Sequence, residues 1–325
     1  MAKWNSRDCL GLRGVSREEI ELVLDTARSM KEIQTRSVKK VPTLRGKVVV
    51  HLFYEPSTRT STSFELAATR LSADIINITT SQSSVVKGES VIDTAQTLRV
   101  MGADAFVIRH SVSGVPHHLA AHTDIPVLNA GDGMNEHPTQ ALLDMFTMRE
   151  HIGSLDGIQV VIAGDILHSR VARSNMWGLL TLGAKVRFVG PPTLVPPGME
   201  QLGVEVSHNL DEAIEDADVI NLLRVQRERM ASNYFPSLSE YSRWYGMNME
   251  RLNRCKPNVL IMHPGPMNRG VEITTDVVES DRSVILEQVT NGIAVRMALL
   301  FLLLGNERER ESQKTLREHT PSLFS

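Results

Sequence analysis

Short apolar segments of strand type alternate with longer amphipathic segments over most of the chain. The apolar segments are rich in β-branched residues and are bounded by turn residues, a pattern typical of buried parallel strands. The predicted strands are residues 47–53, 74–78, 105–109, 126–129, 159–163, 185–189, 219–222 and 259–262. We therefore predict an α/β fold in which parallel sheets are flanked by helices.

The same pattern predicts how the chain divides into domains. Residues 60–71 repeat apolar positions at i, i+3, i+4 and i+7, which indicates a helix with one buried face. A glycine-punctuated segment, 150–157, separates a helical pattern at 139–149 from a new strand. We predict two doubly wound domains at residues 1–150 and 151–288, a C-terminal helix at 289–305 that returns to the first domain, and a charged, mobile tail at 306–325.

Composition narrows the class of protein. The formal net charge of −3 argues against a nucleic-acid partner, because proteins that bind the phosphate backbone carry a basic excess. The two cysteines, Cys9 and Cys255, are far apart in the sequence, which favours a reduced, cytoplasmic protein. The polar start of the chain and the short apolar segment 298–304 predict neither export nor a membrane span.

The strongest local motif is Ser-Thr-Arg-Thr at residues 57–60, between the first predicted strand and the next helix. Free backbone N–H groups and the helix dipole favour an anion at a helix N-terminus, and Arg59 adds a positive charge. Serine and threonine are also common helix caps, so the motif alone leaves a structural role equally open. A phosphate site is the functional interpretation.

Other polar residues follow the predicted strands. Arg109 ends one strand and Arg224 follows another, and ligands of open parallel sheets bind at the carboxyl ends of the strands. Ser83 and Lys87 lie on a glycine-containing loop that suits capture of an anion. Each of these residues alone is compatible with an ordinary solvated position, whereas together they indicate two anionic ligands in a cleft between domains.

Two further segments offer groups for a carbonyl and an amide. His137 and Gln140 lie three residues apart at a predicted helix start, so both side chains face one site. The segment His-Pro-Gly-Pro at residues 263–266 ends the last strand and leaves backbone carbonyls without ladder partners. A helix cap and a tight turn explain the same residues as well.

The turn after the first strand of the second half lacks the fingerprint of a dinucleotide site. Gly164 is present, but the spacing Gly-x-Gly-x-x-Gly is absent, and Arg170 enters the following helix where that site needs glycine. We therefore place a dinucleotide-dependent dehydrogenase low among the alternatives.

Together, these motifs resemble the aspartate carbamoyltransferase family over nearly the whole chain. The Ser-Thr-Arg-Thr turn is shared by the wider aspartate/ornithine superfamily. The Ser-x-x-x-Lys-Gly-Glu loop at 83–89, Arg-Val-Gln at 224–226 and His-Pro-Gly-Pro, where ornithine enzymes carry a His-Cys-Leu-Pro segment, resemble the aspartate branch. Many members have leucine where Gly265 lies, and glycine should be tolerated because a backbone carbonyl acts there.

The resemblance implies transfer of a carbamoyl group from carbamoyl phosphate to L-aspartate, an early step of pyrimidine biosynthesis, in a cytoplasmic homotrimer. It assigns the phosphate to Ser57, Thr58, Arg59, Thr60 and Arg109, and the carbonyl oxygen to Arg59, Thr60 and His137. It assigns the carbamoyl NH₂ to Gln140 and the carbonyls of Pro264 and Gly265. It assigns aspartate to Lys87, Arg170, Arg224 and Gln226, with Ser83 and Lys87 entering from a neighbouring subunit. Arg59, Thr60 and His137 would carry catalysis.

The implied chemistry needs neither a metal nor an organic cofactor, because fixed cations and hydrogen-bond donors stabilise the developing negative charge. A carbamoyltransferase that uses ornithine is the nearest alternative, although arginines suit a dicarboxylate better than a basic substrate. A non-catalytic assembly partner is a further alternative. The sequence leaves open whether regulatory chains or another enzyme of pyrimidine biosynthesis bind the trimer.

Overall fold

A computed structural model of the chain describes residues 4–79, 89–226 and 234–305. The strands are β1 (Val48–Phe53), β2 (Asp74–Thr79), β3 (Ala105–His110), β4 (Val127–Asp132), β5 (Gln159–Ala163), β6 (Lys185–Val189), β7 (Glu205–Ser207), β8 (Val219–Leu222) and β9 (Leu260–Met262). The helices are α1 (Arg17–Thr35), α2 (Thr58–Arg70), α3 (Val91–Val100), α4 (Val115–Ala121), α5 (Pro138–Ile152), α6 (Arg170–Thr181), α7 (Leu210–Ala213), α8 (Leu238–Tyr245), α9 (Met249–Arg254), α10 (Thr275–Val278) and α11 (Ile285–Leu304).

The strands form two parallel sheets, and the predicted α/β fold class is confirmed. The first sheet has the order β2-β1-β3-β4 and the second β7-β6-β5-β8-β9, with every neighbouring pair parallel. All residues of β4 and β5 are buried, as expected for strands with both faces covered. In each sheet the chain reverses its direction of winding, between β1 and β3 and between β5 and β8. Such switch points open a crevice at the carboxyl ends of the strands.

Apart from strand ends that differ by one residue, the structure departs from the predicted strands in two places. Strand β7 was not predicted, because it has only three residues and none of them is fully buried. Strand β4 continues three residues beyond the predicted end, through Ala130, Gly131 and Asp132. These residues were not predicted as strand because glycine and a carboxylate interrupt the apolar pattern. Helix α5 ends at Ile152 and β5 begins at Gln159, and the proposed division of the chain at residue 150 stays a prediction.

Helix α11 joins the end of the chain to the first sheet's helices. It packs on α1, α2 and α5, as predicted for the returning C-terminal helix. It begins at Ile285 and not at 289, because exposed Leu286 and polar Glu287 interrupt the apolar pattern of its first turn. The helix is long and apolar enough to cross a membrane, but 67% of its most apolar window is buried inside the protein, as in a core helix. The predicted tail at 306–325 lies outside the described residues.

Candidate active site

A cavity of about 410 Å³ lies where the two switch points meet. Its walls are formed by residues that follow β1, β5, β8 and β9, together with residues of β3, α5 and α11. Every predicted site residue in the described part of the chain lines it: Ser57, Thr58, Arg59, Thr60, Arg109, His137, Gln140, Arg170, Arg224, Gln226, Pro264 and Gly265. The predicted residues Ser83 and Lys87 lie outside the described residues.

The N-terminus of α2 points into this cavity. Ser57 is the N-cap residue, yet among the described residues its hydroxyl accepts no backbone N–H and instead donates to Oγ1 of Thr60 at 3.0 Å. No acidic residue is present in the first turn. The backbone N–H groups and the positive end of the helix dipole therefore remain available for an anion.

The cavity carries an excess of positive charge. Among the described residues that line it, one carboxylate, Glu55, faces five guanidinium groups, those of Arg59, Arg109, Arg170, Arg224 and Arg296. Arginine holds its charge when buried and matches the geometry of phosphate and carboxylate oxygens. The cavity is therefore suited to more than one anionic group.

Glu55 connects the first wall of the cavity, formed by the segment after β1, the end of β3 and the start of α5, with the second wall, formed by the segments after β5, β8 and β9. Its Oε1 accepts a hydrogen bond from Nη2 of Arg109 at 2.6 Å, while Nη1 of Arg109 donates to the carbonyl of Ala130 at 3.0 Å. Nη1 of Arg170 donates to the second oxygen of Glu55 at 3.0 Å, and Nη2 of Arg170 donates to the first. One carboxylate thus fixes the guanidinium planes of two arginines, one in β3 of the first sheet and one at the start of α6, which follows β5 of the second sheet.

Arg59 lies against the loop after β9. Burial, and then the charge of Arg224, hold the pKa of the Arg59 guanidinium below its usual value. Gly265 has φ +67°, and a Cβ atom there would lie 3.2 Å from Cζ of Arg59. Glycine at this position therefore allows both the left-handed backbone and the close approach of the guanidinium.

His137 and Gln140 lie together at the start of α5, as predicted. His137 is the residue before the first helical one, and its backbone N–H donates to Oγ of Ser174 at 2.8 Å. The Nε2 atom of Gln140 donates to Oδ1 of Asp144 at 2.9 Å. Oε1 of Gln140 has no hydrogen-bonding partner among the described residues, so a carbonyl-type acceptor is available at the cavity wall.

The second-sheet wall is held by a buried carboxylate, Asp165. Its Oδ1 accepts from the backbone N–H of His168 at 3.2 Å and lies 2.8 Å from Nδ1 of the same residue. Its Oδ2 accepts from the backbone N–H of Gln226 at 3.2 Å. Asp165 therefore ties the turn after β5, which leads to Arg170, to the segment after β8 that carries Arg224.

The loop after β9 has a fixed imidazole. The backbone N–H of Gly265 donates to Nδ1 of His263 at 2.8 Å, and Nε2 lies 3.6 Å from Oε1 of Glu272. Burial lowers the pKa of His263, which agrees with a neutral ring that accepts at Nδ1. The ring orders the backbone around Pro264, whose carbonyl was predicted to act in the site.

Sequence reasoning missed several residues that line the cavity, notably Glu55, Gln288 and Arg296. Glu55 lies two residues before the Ser-Thr-Arg-Thr motif, but a carboxylate beside a phosphate site is unfavourable unless arginine partners neutralise it. Gln288 and Arg296 lie on α11, and only the tertiary fold brings that helix to the site.

No metal centre is formed by the described residues. Within residues 4–79, 89–226 and 234–305, no group of three or more His, Cys, Asp or Glu side chains is placed to hold an ion. The polar groups that line the cavity are guanidinium, hydroxyl, imidazole, amide, carboxylate and backbone groups.

The two halves of the chain match two family models. Residues 7–150 match the aspartate/ornithine carbamoyltransferase, carbamoyl-P binding domain, and residues 156–303 match the Asp/Orn binding domain of the same family. The chain belongs to the aspartate/ornithine carbamoyltransferase family. The residues that line the cavity come from both matched segments.

Relatives and solved structures agree with this family. The chain is 60% identical over 302 residues to an aspartate carbamoyltransferase catalytic subunit of Heliobacterium modesticaldum, covering 93% of this chain and 97% of that protein. It is 62% identical over 297 residues to the protein of the same name from Syntrophobacter fumaroxidans, covering 91% and 97%.

Two solved members of the carbamoyltransferase family have the same fold. Aspartate transcarbamoylase from Trypanosoma cruzi in complex with carbamoyl phosphate and aspartate superposes with a TM-score of 0.84 at 29% identity, covering 93% of this chain and 97% of that one. Ornithine carbamoyltransferase from Pyrococcus furiosus gives a TM-score of 0.82 at 31% identity, covering 92% and 97%. Fold alone therefore does not separate the two substrates.

Proposed function

We propose that this protein transfers the carbamoyl group of carbamoyl phosphate to the amino group of L-aspartate, giving N-carbamoyl-L-aspartate and phosphate. The observation that carries this proposal is the arrangement of charge around one cavity. An anion site at the N-terminus of α2 lies across from Arg170 and Arg224, which follow strands β5 and β8 of the second sheet. The cavity thus offers one site for a phosphate and another for a dicarboxylate.

The first wall binds carbamoyl phosphate. The phosphate lies at the N-terminus of α2, where Ser57, Thr58 and Thr60 add hydroxyls and Arg59 and Arg109 add charge. His137 and Arg59 reach the carbonyl oxygen. Gln140 accepts from the carbamoyl NH₂, as do the carbonyls of Pro264 and Gly265 in the second wall.

The second wall selects the acceptor. Arg170, Arg224 and Gln226 offer two cations and an amide to the carboxylates of aspartate. A basic acceptor such as ornithine needs a carboxylate partner, and the carboxylate that lines the described cavity, Glu55, is held by two arginines. The relatives of about 60% identity carry the aspartate name, which also favours aspartate.

The reaction needs positioned charge more than a reactive side chain. The amine of aspartate attacks the carbamoyl carbon, the carbonyl oxygen gains negative charge, and the bond to the phosphate oxygen then breaks. Fixed donors at the carbonyl oxygen and the leaving phosphate stabilise both charges, with about 3–4 kcal/mol typical for a single donor. The departing phosphate accepts the proton that the amine loses. Holding two polar substrates in line supplies a further part of the rate.

The working unit is a cytoplasmic homotrimer in this proposal. Ser83 and Lys87 complete the site from a neighbouring subunit, as the family resemblance implies. Cys9 and Cys255 are both free and buried, as in a protein that stays reduced.

The deciding experiment is an initial-rate assay of purified protein with carbamoyl phosphate and either L-aspartate or L-ornithine, with detection of the ureido product. Product with aspartate alone is expected. Product with ornithine alone would support the role assigned to the first wall and refute the role assigned to the second. Absence of product with both amines, from folded trimeric protein, would favour a non-catalytic assembly role.

A further inference from the structure

A fully buried carboxylate, Asp144, lies on α5 one turn beyond Gln140 and beneath the cavity. Its Oδ1 accepts hydrogen bonds from Nε2 of Gln140 at 2.9 Å and Nε2 of Gln288 at 2.8 Å. Its Oδ2 accepts from Nδ2 of Asn175 at 2.8 Å and Nδ2 of Asn221 at 3.3 Å. Four side-chain amides from α5, α11, α6 and β8 therefore converge on one ionisable group from both halves of the chain.

The charge on Asp144 decides which way the Gln140 amide faces. An ionised carboxylate only accepts hydrogen bonds, so the NH₂ group of Gln140 must point toward it. The Oε1 atom of Gln140 is then left for the cavity, where it accepts from a ligand N–H. A neutral carboxyl group donates one hydrogen bond and would permit the opposite orientation of the amide.

The same carboxylate also controls the loop after β9. Because Nε2 of Gln288 donates to Asp144, its Oε1 faces away and accepts from the backbone N–H of His263 at 3.0 Å. His263 precedes Pro264 and Gly265, whose carbonyls are the other two acceptors proposed for the carbamoyl NH₂. All three acceptors thus depend on the hydrogen bonds of one buried side chain.

We propose that Asp144 is a positioning residue that gives the site its selectivity for an acyl phosphate bearing an NH₂ group, by holding three oxygen acceptors toward the cavity. This inference rests on the proposed carbamoyl transfer and extends it to the origin of donor selectivity. Asp144 itself does not line the cavity, so it acts through Gln140 and Gln288.

The charges around Asp144 give this arrangement a pH dependence. The groups that face it are the four uncharged amides and, from α11, the buried guanidinium of Arg296, whose charge interacts with it. Burial raises the pKa of Asp144 to about 6, against the effect of its four hydrogen bonds. The charged form therefore predominates above this pKa and is lost as pH falls through it.

The test compares carbamoyl phosphate with acetyl phosphate, which carries a methyl group in place of NH₂. Aspartate-dependent release of phosphate is measured for both donors, and the ratio of their kcat/KM values is the donor preference. In Asp144→Asn the side chain offers NH₂ on one side, so two of the four amides lose their acceptor. We expect the preference for carbamoyl phosphate to fall about tenfold or more, mainly through a slower reaction with carbamoyl phosphate.

Thr147→Val is the matched control. Thr147 is also fully buried on α5 and makes hydrogen bonds to the Leu143 carbonyl and Asn291, so the change removes a buried polar group without touching Asp144. We expect this variant to keep the donor preference within about twofold. An unchanged preference in folded Asp144→Asn, or an equal loss in Thr147→Val, would overturn the inference.

The wild-type protein provides a test that does not depend on folding of a variant. The donor preference is measured from pH 5 to pH 8, and titration of the phosphate largely cancels because both donors carry it. We expect the preference to be constant above about pH 7 and to fall below about pH 6, as Asp144 takes up a proton. A flat profile would refute the role of Asp144 but would leave the proposed function intact. A wild-type protein inactive with both donors would refute the proposed function as well.

Discussion

The two walls of the cavity reach the same chemistry, anion binding, by different structural means. In the first wall, Ser57, Thr58, Arg59 and Thr60 follow one strand and begin one helix, so local backbone conformation brings them together. In the second wall, Arg170 and Arg224 lie on separate segments, and carboxylates position those segments from outside the motif. These four residues of the first wall are therefore encoded in one segment, whereas the arginines of the second wall depend on tertiary contacts between distant segments.

The largest effect should come from Arg59→Ala. Arg59 is proposed to contact both the phosphate and the carbonyl oxygen, so its loss removes a donor used in the transition state. We expect kcat to fall about 10³-fold, with little change in the free energy of unfolding. Steady-state kinetics and denaturant unfolding check both parts, with Arg45→Ala, at an exposed position, as the control. Near-normal turnover would remove Arg59 from the mechanism.

Arg224→Ala should distinguish the functions of the two walls. We expect KM for aspartate to rise about 100-fold, because a charged hydrogen-bonded contact in a desolvated site contributes several kcal/mol. The Kd for carbamoyl phosphate, measured by calorimetry without aspartate, should change less than about threefold. Equal weakening of both ligands would show that the walls do not act independently.

The difference between the walls also explains which features of the fold and the site could be predicted from the sequence. Strands β5, β6 and β8 were predicted at their observed bounds, because continuous β-branched residues between turn signals leave little ambiguity. The Ser57–Thr60 motif was recognisable because its function depends on neighbours in sequence. Strand β7 carried no such signal.

Residues that act through distant partners were not predictable in the same way. Glu55 lies 54 positions from Arg109 and 115 from Arg170 in the sequence, so its role is visible only once both sheets are folded. Asp144 is part of a helical segment whose sequence predicts only a buried helix. Its partner Gln288 is 144 positions away and lies beside it only in the folded chain. Long-range pairing of polar side chains leaves no periodic pattern in a single sequence.

Glu55→Gln should weaken the connection between the walls. The amide has one acceptor oxygen in place of two, so Arg109 and Arg170 lose part of their charge-assisted hydrogen bonding. We expect kcat to fall about tenfold, because the arginines are no longer held in place. Removal of a negative charge should leave Kd for carbamoyl phosphate unchanged or lower it. Glu32→Gln, at an exposed position of α1, is the control. A higher Kd for carbamoyl phosphate together with a normal kcat would contradict the bridging role.

The smallest effect concerns another contact between the walls, that of Gly265 with Arg59. Gly265 and Gly270 both have positive φ, +67° and +81°, but a Cβ atom at Gly270 meets nothing within 4 Å. Alanine at either position should therefore cost about 1–2 kcal/mol of stability through backbone strain. Only Gly265→Ala should also displace the Arg59 guanidinium, and we expect it to lower kcat several-fold beyond Gly270→Ala. Equal kcat values in the two variants would mean that strain, and not contact with Arg59, is the reason for glycine at position 265.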